Sequence, residues 1–288
     1  MSETTPTHDR RVDRYADVIV HIVGSRQGRP NLPAAGCPFC PGGLEAPEPY
    51  EVRWFPNRWP AMPGERCEVV LYTPRHDATF WSLGVPGARQ VVDLWADRTA
   101  ALGSRDDVDY VLIFENRGRE VGATIPHPHG QIYAYDHIPR RPATLLANGW
   151  QPEAEPGERL LARRDGWRAW VPQAAIFPFA ITIAPEAPVP DLVALDEAGR
   201  NALATMLIEV LAATDRLWDR AVPYMLWFNQ RPTDGGDWPD AHLSVEIVSP
   251  WRAAGVQRFI AAAEVAGEEY FNPVIPEVLA EQLRAVWR

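Results

Sequence analysis

The sequence contains no lysine, although it is 288 residues long and has 28 basic residues, all of them arginine. Without lysine there can be no Schiff base with a carbonyl substrate, no lysine-anchored pyridoxal phosphate and no Walker A loop. Phosphate groups must instead be bound by arginine, hydroxyl groups or backbone N–H groups. The lack of lysine therefore excludes several classes of enzyme but leaves phosphate chemistry open.

Cysteine, excess positive charge and long apolar runs are also scarce. Three cysteines are too few for a disulfide framework, so we expect a reducing compartment, the cytoplasm. The formal net charge of −10 disfavours a nucleic acid partner, because binding to a phosphate backbone needs a basic surface. No run of 18 apolar residues occurs and the N-terminal residues are polar, so we expect neither a membrane span nor a secretory signal.

The most informative motif present is H-P-H-G-Q at residues 127–131. On a strand, His127, His129 and Gln131 would share one face, because successive side chains alternate between faces. An imidazole can attack phosphorus near neutral pH, and the neutral Gln131 amide can donate a hydrogen bond to a phosphate oxygen. A lone H-x-H is more often an ordinary surface or core pair, but this five-residue motif favours a phosphate-transfer site.

A second motif, C-P-F-C, places Cys37 and Cys40 in a segment rich in glycine and proline. In a cytoplasmic protein this spacing indicates either a thioredoxin-like redox pair or half of a zinc site. A redox pair needs a helix that begins at the first cysteine, and the P-G-G sequence that follows disfavours one. Zinc would need two further ligands, usually histidine or cysteine. The third cysteine, Cys67, is expected to be a buried thiol.

The sequence also contains an internal duplication, in which each half has a strand pair, a helix and two further strands. The first half places them at 51–76, 88–102, 110–116 and 127–135, and the second half at 167–187, 197–218, 224–230 and 241–248. Such units predict an α+β fold with a largely antiparallel sheet covered on one face by helices. We expect halves at 1–138 and 166–288, a linker at 139–165, and a mainly helical tail from 253.

On these motifs the chain resembles the galactose-1-phosphate uridylyltransferases, a branch of the histidine-triad superfamily, from about residue 18 to the C-terminus. The resemblance implies two fused histidine-triad-like halves, of which only the first keeps the histidine pair. It also implies a ping-pong exchange in which UDP-glucose and galactose 1-phosphate give glucose 1-phosphate and UDP-galactose. His129 would be the nucleophile that becomes uridylylated, Gln131 would bind the phosphate, and the enzyme would be a homodimer.

The resemblance implies the metal ligands as well. His76 and His127 match family ligands that complete a zinc site with the cysteine pair, and four protein ligands make such a site structural. Many family members carry a second, iron-type site built from a glutamate and three histidines. The aligned positions here are Asn229, His242, Ser244 and Glu246. One histidine and one carboxylate are too few, so we predict that the second site is absent.

The candidate substrate-binding residues come from the same resemblance. Aromatic rings at 55 and 59 would flank the base, an arginine pair near the N-terminus would contact phosphates, and C-terminal residues would bind the sugar. The set is Arg26, Arg29, Phe55, Asn57, Trp59, Asn116, Thr124, Gln131, Arg258, Phe259 and Glu264. The chain departs from the family's sugar-binding pattern at Ala263 and Tyr270, which leaves the preferred hexose open.

Two other functions compete with hexose 1-phosphate exchange. Adenylyl-transferring dinucleotide phosphorylases of this superfamily also have glutamine in the motif, whereas its nucleotide hydrolases have a third histidine there. A neutral amide does not readily activate water, so Gln131 favours transfer over hydrolysis. A non-enzymatic zinc module is the other alternative, and it leaves His129 and Gln131 unexplained.

Overall fold

The computed structural model describes residues 8–28 and 36–288. Within them the strands are β1 His8–Asp13, β2 Val18–Val23, β3 Arg53–Pro56, β4 Cys67–Leu71, β5 Tyr110–Arg117, β6 His129–Tyr135, β7 Leu160–Arg164, β8 Trp167–Trp170, β9 Phe179–Pro185, β10 Tyr224–Asn229, β11 Ser244–Ser249, β12 Trp251–Ala253 and β13 Val256–Gln257. The α-helices are α1 Gly84–Gly103, α2 Arg140–Ala147, α3 Glu197–Arg216, α4 Ala262–Gly267 and α5 Pro276–Val286. Short 3₁₀ helices lie at Gly24–Gly28, Phe80–Leu83, Arg119–Val121 and Gly157–Arg159.

Nine strands form one antiparallel sheet in the order β3–β4–β6–β5–β10–β11–β9–β8–β7. The order β3–β4–β6–β5 of the first half recurs as β8–β9–β11–β10 in the second, and the halves join where β5 pairs with β10. Phe114 pairs with Trp227 across this junction, so an approximate two-fold axis passes between the two residues. The predicted α+β class, with two fused halves and an antiparallel sheet, is confirmed.

Helices α1 and α3 contact each other and cover one face of the sheet. They correspond to the two predicted helical segments, at 88–102 and 197–218. Trp95 of α1, Ile132 of β6 and Leu226 of β10 are almost completely buried between the layers. Removing a side chain such as Ile132 or Leu226 from water contributes about 1.5–3 kcal/mol. The opposite face, which we call the open face, is therefore the one left for binding.

Strand β6 shows how the sequence chooses between these faces. Its side chains alternate in burial: Gly130, Ile132 and Ala134 lie against the helices, whereas His129 and Gln131 are half-buried on the open face. Because side chains alternate along a strand, burying the small and apolar set forces the polar set onto the other face. The histidine motif thus reaches the open face through ordinary strand geometry.

The connection between the halves is more ordered than its composition indicates. Residues 139–165, predicted as a linker, contain α2 and β7, and β7 pairs with β8 at the edge of the large sheet. Proline and arginine do not prevent a helix here, since Pro139 precedes α2 in an extended conformation. The domain boundaries at 138 and 166 stay predictions.

The C-terminal tail also differs in part from its prediction. It begins with the β12–β13 hairpin before α4 and α5, whereas the sequence favoured a mainly helical tail. Helix α5 starts at Pro276, which suits the first helical turn because proline has no N–H to lose there. Leu279 and Leu283 of α5 complete the apolar core.

A separate two-stranded sheet, β1–β2, precedes the main sheet. Five of its apolar side chains are 38–57 % exposed: Val12, Val18, Ile19, Val20 and Ile22. Arg10 ties it to the end of β6 through a 3.0 Å ion pair with Asp136. Among the described residues, no helix combines the length and apolar character needed to cross a membrane.

Candidate active site

The site is built around His129, the first residue of β6. Its Nδ1 lies 2.7 Å from the backbone carbonyl oxygen of His127. A carbonyl oxygen can only accept a hydrogen bond, so Nδ1 carries the proton and Nε2 carries the lone pair. The imidazole is therefore held as the tautomer whose Nε2 can act as a nucleophile.

Gln131 lies two residues further along the same face. Asn57 Nδ2 donates to Gln131 Oε1 over 3.4 Å. Because the amide oxygen is engaged by Asn57, the Gln131 NH₂ group is the part available to donate to a ligand. A donor next to the nucleophile is the arrangement that stabilises charge on a phosphate oxygen.

A cleft opens over these two side chains on the open face. One wall is residues 36–45, which we call the knuckle, and the other includes Phe55, Asn57, Trp59 and Thr124. Asn57 Oδ1 also accepts from the Trp59 backbone N–H at 2.9 Å, which fixes the turn between the two aromatic residues. The structure thus brings the predicted nucleoside segment, Thr124, His129 and Gln131 to one cleft.

The four candidate metal ligands, two of them in the knuckle, lie together. The ligand atoms of Cys37, Cys40, His76 and His127 are all within 4.8 Å of one another. Sulfur–nitrogen distances run from 3.5 Å for Cys40–His76 to 3.8 Å for Cys37–His127. A tetrahedral zinc ion with ordinary bond lengths would separate sulfur and nitrogen by about 3.6 Å. The donor set and spacing therefore fit a zinc ion.

The state of His127 suits a ligand. Its Nε2 donates to the Thr73 carbonyl oxygen at 2.7 Å, so Nδ1 has the lone pair and faces the cysteines. Burial lowers the pKa of His127, which favours the neutral form that binds a metal. Residues 36–48 form turns and bends, so the helix required by the redox alternative does not begin at Cys37.

The equivalent positions of the second half are engaged by protein groups. His242 Nε2 donates to the Pro185 carbonyl oxygen at 3.0 Å, as His127 does to Thr73. Asn229 donates to Glu246 at 2.9 Å, and Arg141 of α2 binds both Glu246 oxygens, at 2.8 and 2.7 Å. A guanidinium thus neutralises the one carboxylate of this set. The absence of a second transition-metal site stays a prediction.

Several predicted residues lie outside the cleft. Asn116 lines an adjoining pocket with His129, and Arg26 lies in the 3₁₀ helix after β2. Arg29 falls outside the described residues. Arg258 and Glu264 form a buried ion pair with each other, and Phe259 is 75 % exposed. The predicted sugar-binding residues are therefore not among those that line the cleft in a single chain.

Two side chains that the sequence analysis missed complete the site. Phe39, between the cysteines, packs edge-on against His129 with ring centres 5.0 Å apart. Tyr50 Oη lies 2.6 Å from the Phe39 carbonyl oxygen and 2.9 Å from that of Thr73. The position of Phe39 inside C-x-x-C could have indicated its role, whereas no motif marks Tyr50. Together they connect the knuckle to the nucleophile.

Comparisons with known proteins agree with this geometry. Residues 59–139 match the N-terminal domain of galactose-1-phosphate uridyl transferase, and residues 129–287 match its C-terminal domain. The galactose-1-phosphate uridylyltransferase of Thermotoga maritima is 33 % identical over 95 % of this chain and 97 % of its own length. That of Streptomyces lividans is 36 % identical over 90 % of this chain and 82 % of its own.

A solved structure described as a uridylyltransferase superimposes with a TM-score of 0.87 at 25 % identity, covering 97 % of this chain and 98 % of that one. Sequence and structure therefore agree over nearly the whole length. The chain belongs to the galactose-1-phosphate uridylyltransferase family.

Proposed function

We propose that the protein exchanges hexose 1-phosphates on a UDP carrier, converting UDP-glucose and galactose 1-phosphate into glucose 1-phosphate and UDP-galactose. The observation that carries this proposal is the tautomer of His129, whose Nδ1–H is held by the His127 carbonyl oxygen beside the Gln131 amide. Family membership supports the same reaction, since the relatives from Thermotoga maritima and Streptomyces lividans carry that name.

In the first half-reaction His129 Nε2 attacks the α-phosphorus of UDP-glucose. A nitrogen–phosphorus bond forms, the bond from that phosphorus to the bridging oxygen breaks, and glucose 1-phosphate leaves with the bonding electrons. This leaving group is already a stable anion, so no general acid is needed. Galactose 1-phosphate then attacks the uridylylated histidine in the reverse sense. The protein therefore has to hold the attacking and leaving groups in line at the phosphorus and to stabilise the charge on the phosphate oxygens.

Different cleft residues bind the base, the ribose and the phosphates of the substrate. Phe55 and Trp59 are placed to flank the base, and Asn57 can bind a ribose hydroxyl. Thr124 and Gln131 can donate to phosphate oxygens next to His129, and Asn116 can do so from the adjoining pocket. The arginine pair at 26 and 29 would supply positive charge for the same phosphates.

An exchange assay tests this function. With UDP-glucose and galactose 1-phosphate, we expect UDP-galactose to form much faster than free UMP. ADP-glucose and dTDP-glucose, offered at the same concentration, should react more slowly. Transfer to inorganic phosphate with ADP-glucose as the preferred donor would instead identify a phosphorylase, and release of UMP without exchange would identify a hydrolase.

We further propose that Cys37, Cys40, His76 and His127 hold one structural zinc ion. When bound, the ion would cross-link the knuckle to the segment that leads into β6. That link would fix Phe39 against the ring of His129, two residues beyond the His127 ligand. Free thiols at these positions fit the reducing cytoplasm proposed for the protein.

The purified protein is expected to contain one zinc ion per chain by elemental analysis. Cys40→Ser should lower the zinc content far below one and reduce the free energy of unfolding by several kcal/mol, because metal binding contributes directly to folding. Cys67→Ala is the control variant. Cys67 is a buried thiol outside the cluster, so the Cys67→Ala protein should keep one zinc ion per chain. Full zinc occupancy in Cys40→Ser, or two transition-metal ions per wild-type chain, would contradict the proposed site.

We also propose that the active enzyme is a homodimer in which each cleft is completed by the partner's C-terminal residues. Two observations support this: the apolar side chains exposed on β1 and β2, and the location of the sugar-binding candidates outside their own chain's cleft. Exposed apolar patches of this kind favour a protein interface.

Mixing two variants that are each expected to be inactive on their own tests the shared site. His129→Ala lacks the nucleophile, and Phe259→Ala lacks an exposed residue of the tail. After subunit exchange, heterodimers should regain one working site, giving about a quarter of wild-type activity in an equal mixture with isologous dimers. Mass photometry should show dimers throughout. No recovery in a mixture proven to contain heterodimers would place the tail in its own chain's site.

A further inference from the structure

Three polar side chains are buried on the helix-covered face of the sheet, near the strand that carries the nucleophile. Tyr72 follows β4, Glu115 lies on β5 and Tyr224 begins β10, and none is more than 4 % exposed. All three lie on the face covered by α1 and α3, opposite to the cleft. No step of the proposed reaction uses them, although a buried carboxylate is expensive to keep unless it has a role.

A hydrogen bond joins two of these side chains, Tyr224 and Glu115, across the two halves. Tyr224 Oη donates to Glu115 Oε1 at 2.7 Å, which links the two central strands. Burial raises the pKa of Glu115 to about 7, against the opposing effect of that hydrogen bond. Burial and then the nearby Glu115 carboxylate raise the pKa values of Tyr72 and Tyr224, so both hydroxyl groups keep their protons. Within the described part of the chain, Tyr72 Oη and Glu115 Oε2 are buried without a hydrogen-bond partner, so Glu115 acts on Tyr72 through its charge.

The Tyr72 hydroxyl also lies directly under Gly130, the residue between His129 and Gln131. A Cβ atom added at Gly130 would be 2.1 Å from Tyr72 Oη, 3.0 Å from Tyr72 Cζ and 3.2 Å from the Phe114 carbonyl oxygen. No pair of heavy atoms tolerates the first distance without a covalent bond. Glycine is thus required here because the hydroxyl occupies the place of its side chain.

A small pocket lies beside this contact. It is lined by Glu115, Asn116, Pro128 and His129 and lies along the start of β6. Side chains next to open space are held less firmly than those in a close-packed core. The Tyr72–Gly130 contact therefore supports the start of β6, next to this pocket.

We propose that Tyr72, Glu115 and Tyr224 act as positioning residues, forming a brace under Gly130 that holds His129 and Gln131 in line for attack on phosphorus. The Glu115 carboxylate attracts the nearby Tyr72 hydroxyl through its charge, without a direct hydrogen bond, and Tyr224 anchors Glu115 to the second half. A misplacement of about 1 Å can slow such a reaction by roughly 10²-fold without changing which groups are present. The brace rests on the proposed uridylyl transfer through His129.

The first test compares matched tyrosine variants by rapid quench. Tyr72→Phe and Tyr224→Phe each remove only a hydroxyl group and are expected to slow uridylylation of the enzyme by roughly 10–100-fold. The dissociation constant of UDP-glucose should stay within about twofold, because the cleft residues are untouched. Tyr110→Phe is the control: its hydroxyl is equally buried on β5 but lies near the Gln230 backbone N–H, away from Gly130.

Loss of stability in all three variants with an unchanged uridylylation rate would overturn the brace. So would equal slowing by Tyr110→Phe, since that would be a general effect of removing a buried hydroxyl group. If wild-type protein forms no uridylylated intermediate, the proposed function itself fails, and the two failures are thereby distinguished.

A second test measures the coupling between Tyr72 and Gly130. Gly130→Ala alone is expected to slow uridylylation by more than about 100-fold, since the new methyl group must displace the strand from the tyrosine hydroxyl. In the Tyr72→Phe background the nearest contact becomes Cζ at 3.0 Å. The slowing caused by Gly130→Ala should therefore be about tenfold smaller in that background than in the wild type. Additive effects in soluble, zinc-containing variants would show that the two residues do not act through this contact.

Discussion

Replacing His129 by alanine is expected to lower the rate of exchange by roughly 10⁴–10⁶-fold, as removal of a covalent nucleophile does in other enzymes. The reason is that no other side chain among those that line the cleft is an imidazole. The exchange rate with UDP-glucose and galactose 1-phosphate measures the effect. Folding should persist, because His129 is half-buried and lies at the start of its strand.

His137→Ala is the matched control for this change. His137 lies just beyond β6, where it contacts Asp136 outside the cleft, so its removal should leave exchange near the wild-type rate. Zinc content and circular dichroism of both variants should match the wild type. Wild-type exchange by a well-folded His129→Ala protein would remove the basis of the proposed mechanism.

Gln131 is expected to decide between transfer and hydrolysis. The amide can donate to a phosphate oxygen in both half-reactions but cannot take up a proton near neutral pH. Gln131→Ala should therefore slow both half-reactions by roughly 10²–10³-fold, as loss of an oxyanion-stabilising donor does. Gln131→His places a group with a pKa of about 6.5 beside the intermediate, where it can take a proton from water. We expect it to slow exchange and raise the ratio of UMP release to exchange.

The measurement is the release of UMP and the exchange of sugar on the same protein preparations. Gln131→Ala serves as the control for loss of the amide without gain of a base, and its ratio of hydrolysis to transfer should stay low. An unchanged ratio in Gln131→His would show that exclusion of water from the cleft, and not this side chain, protects the intermediate.

The parts of the fold and site that follow strand and helix periodicity could be predicted from sequence. Alternation in β6 puts His129 and Gln131 on one face whatever the tertiary structure, and the repeated order of elements predicts the fused halves. The nucleoside segment and the ligand set were identifiable through family resemblance, because they lie in short motifs. Their assembly in one cleft and one cluster agrees with that expectation.

Contacts between residues far apart in the chain could not be predicted. Glu115 and Tyr224 lie on two strands and Tyr72 directly follows a third, and nothing in the local sequence marks any of the three as functional. Helix α2 is a similar case, since its Arg141 binds Glu246 more than a hundred residues away. This ion pair helps to order a segment that is rich in proline and arginine. Pairings of this kind depend on tertiary geometry, which local patterns do not encode.

The most direct test of the central claim mixes the protein with UDP-glucose alone. It then measures the gain in mass of the protein and the residue that carries the added uridylyl group. We predict release of one glucose 1-phosphate per active site and a gain of one uridylyl group on His129. The adduct should be stable in base, cleaved by acid as expected for a nitrogen–phosphorus bond, and removed by added galactose 1-phosphate. A protein that exchanges sugars but never carries the uridylyl group, or carries it on another residue, would contradict the account.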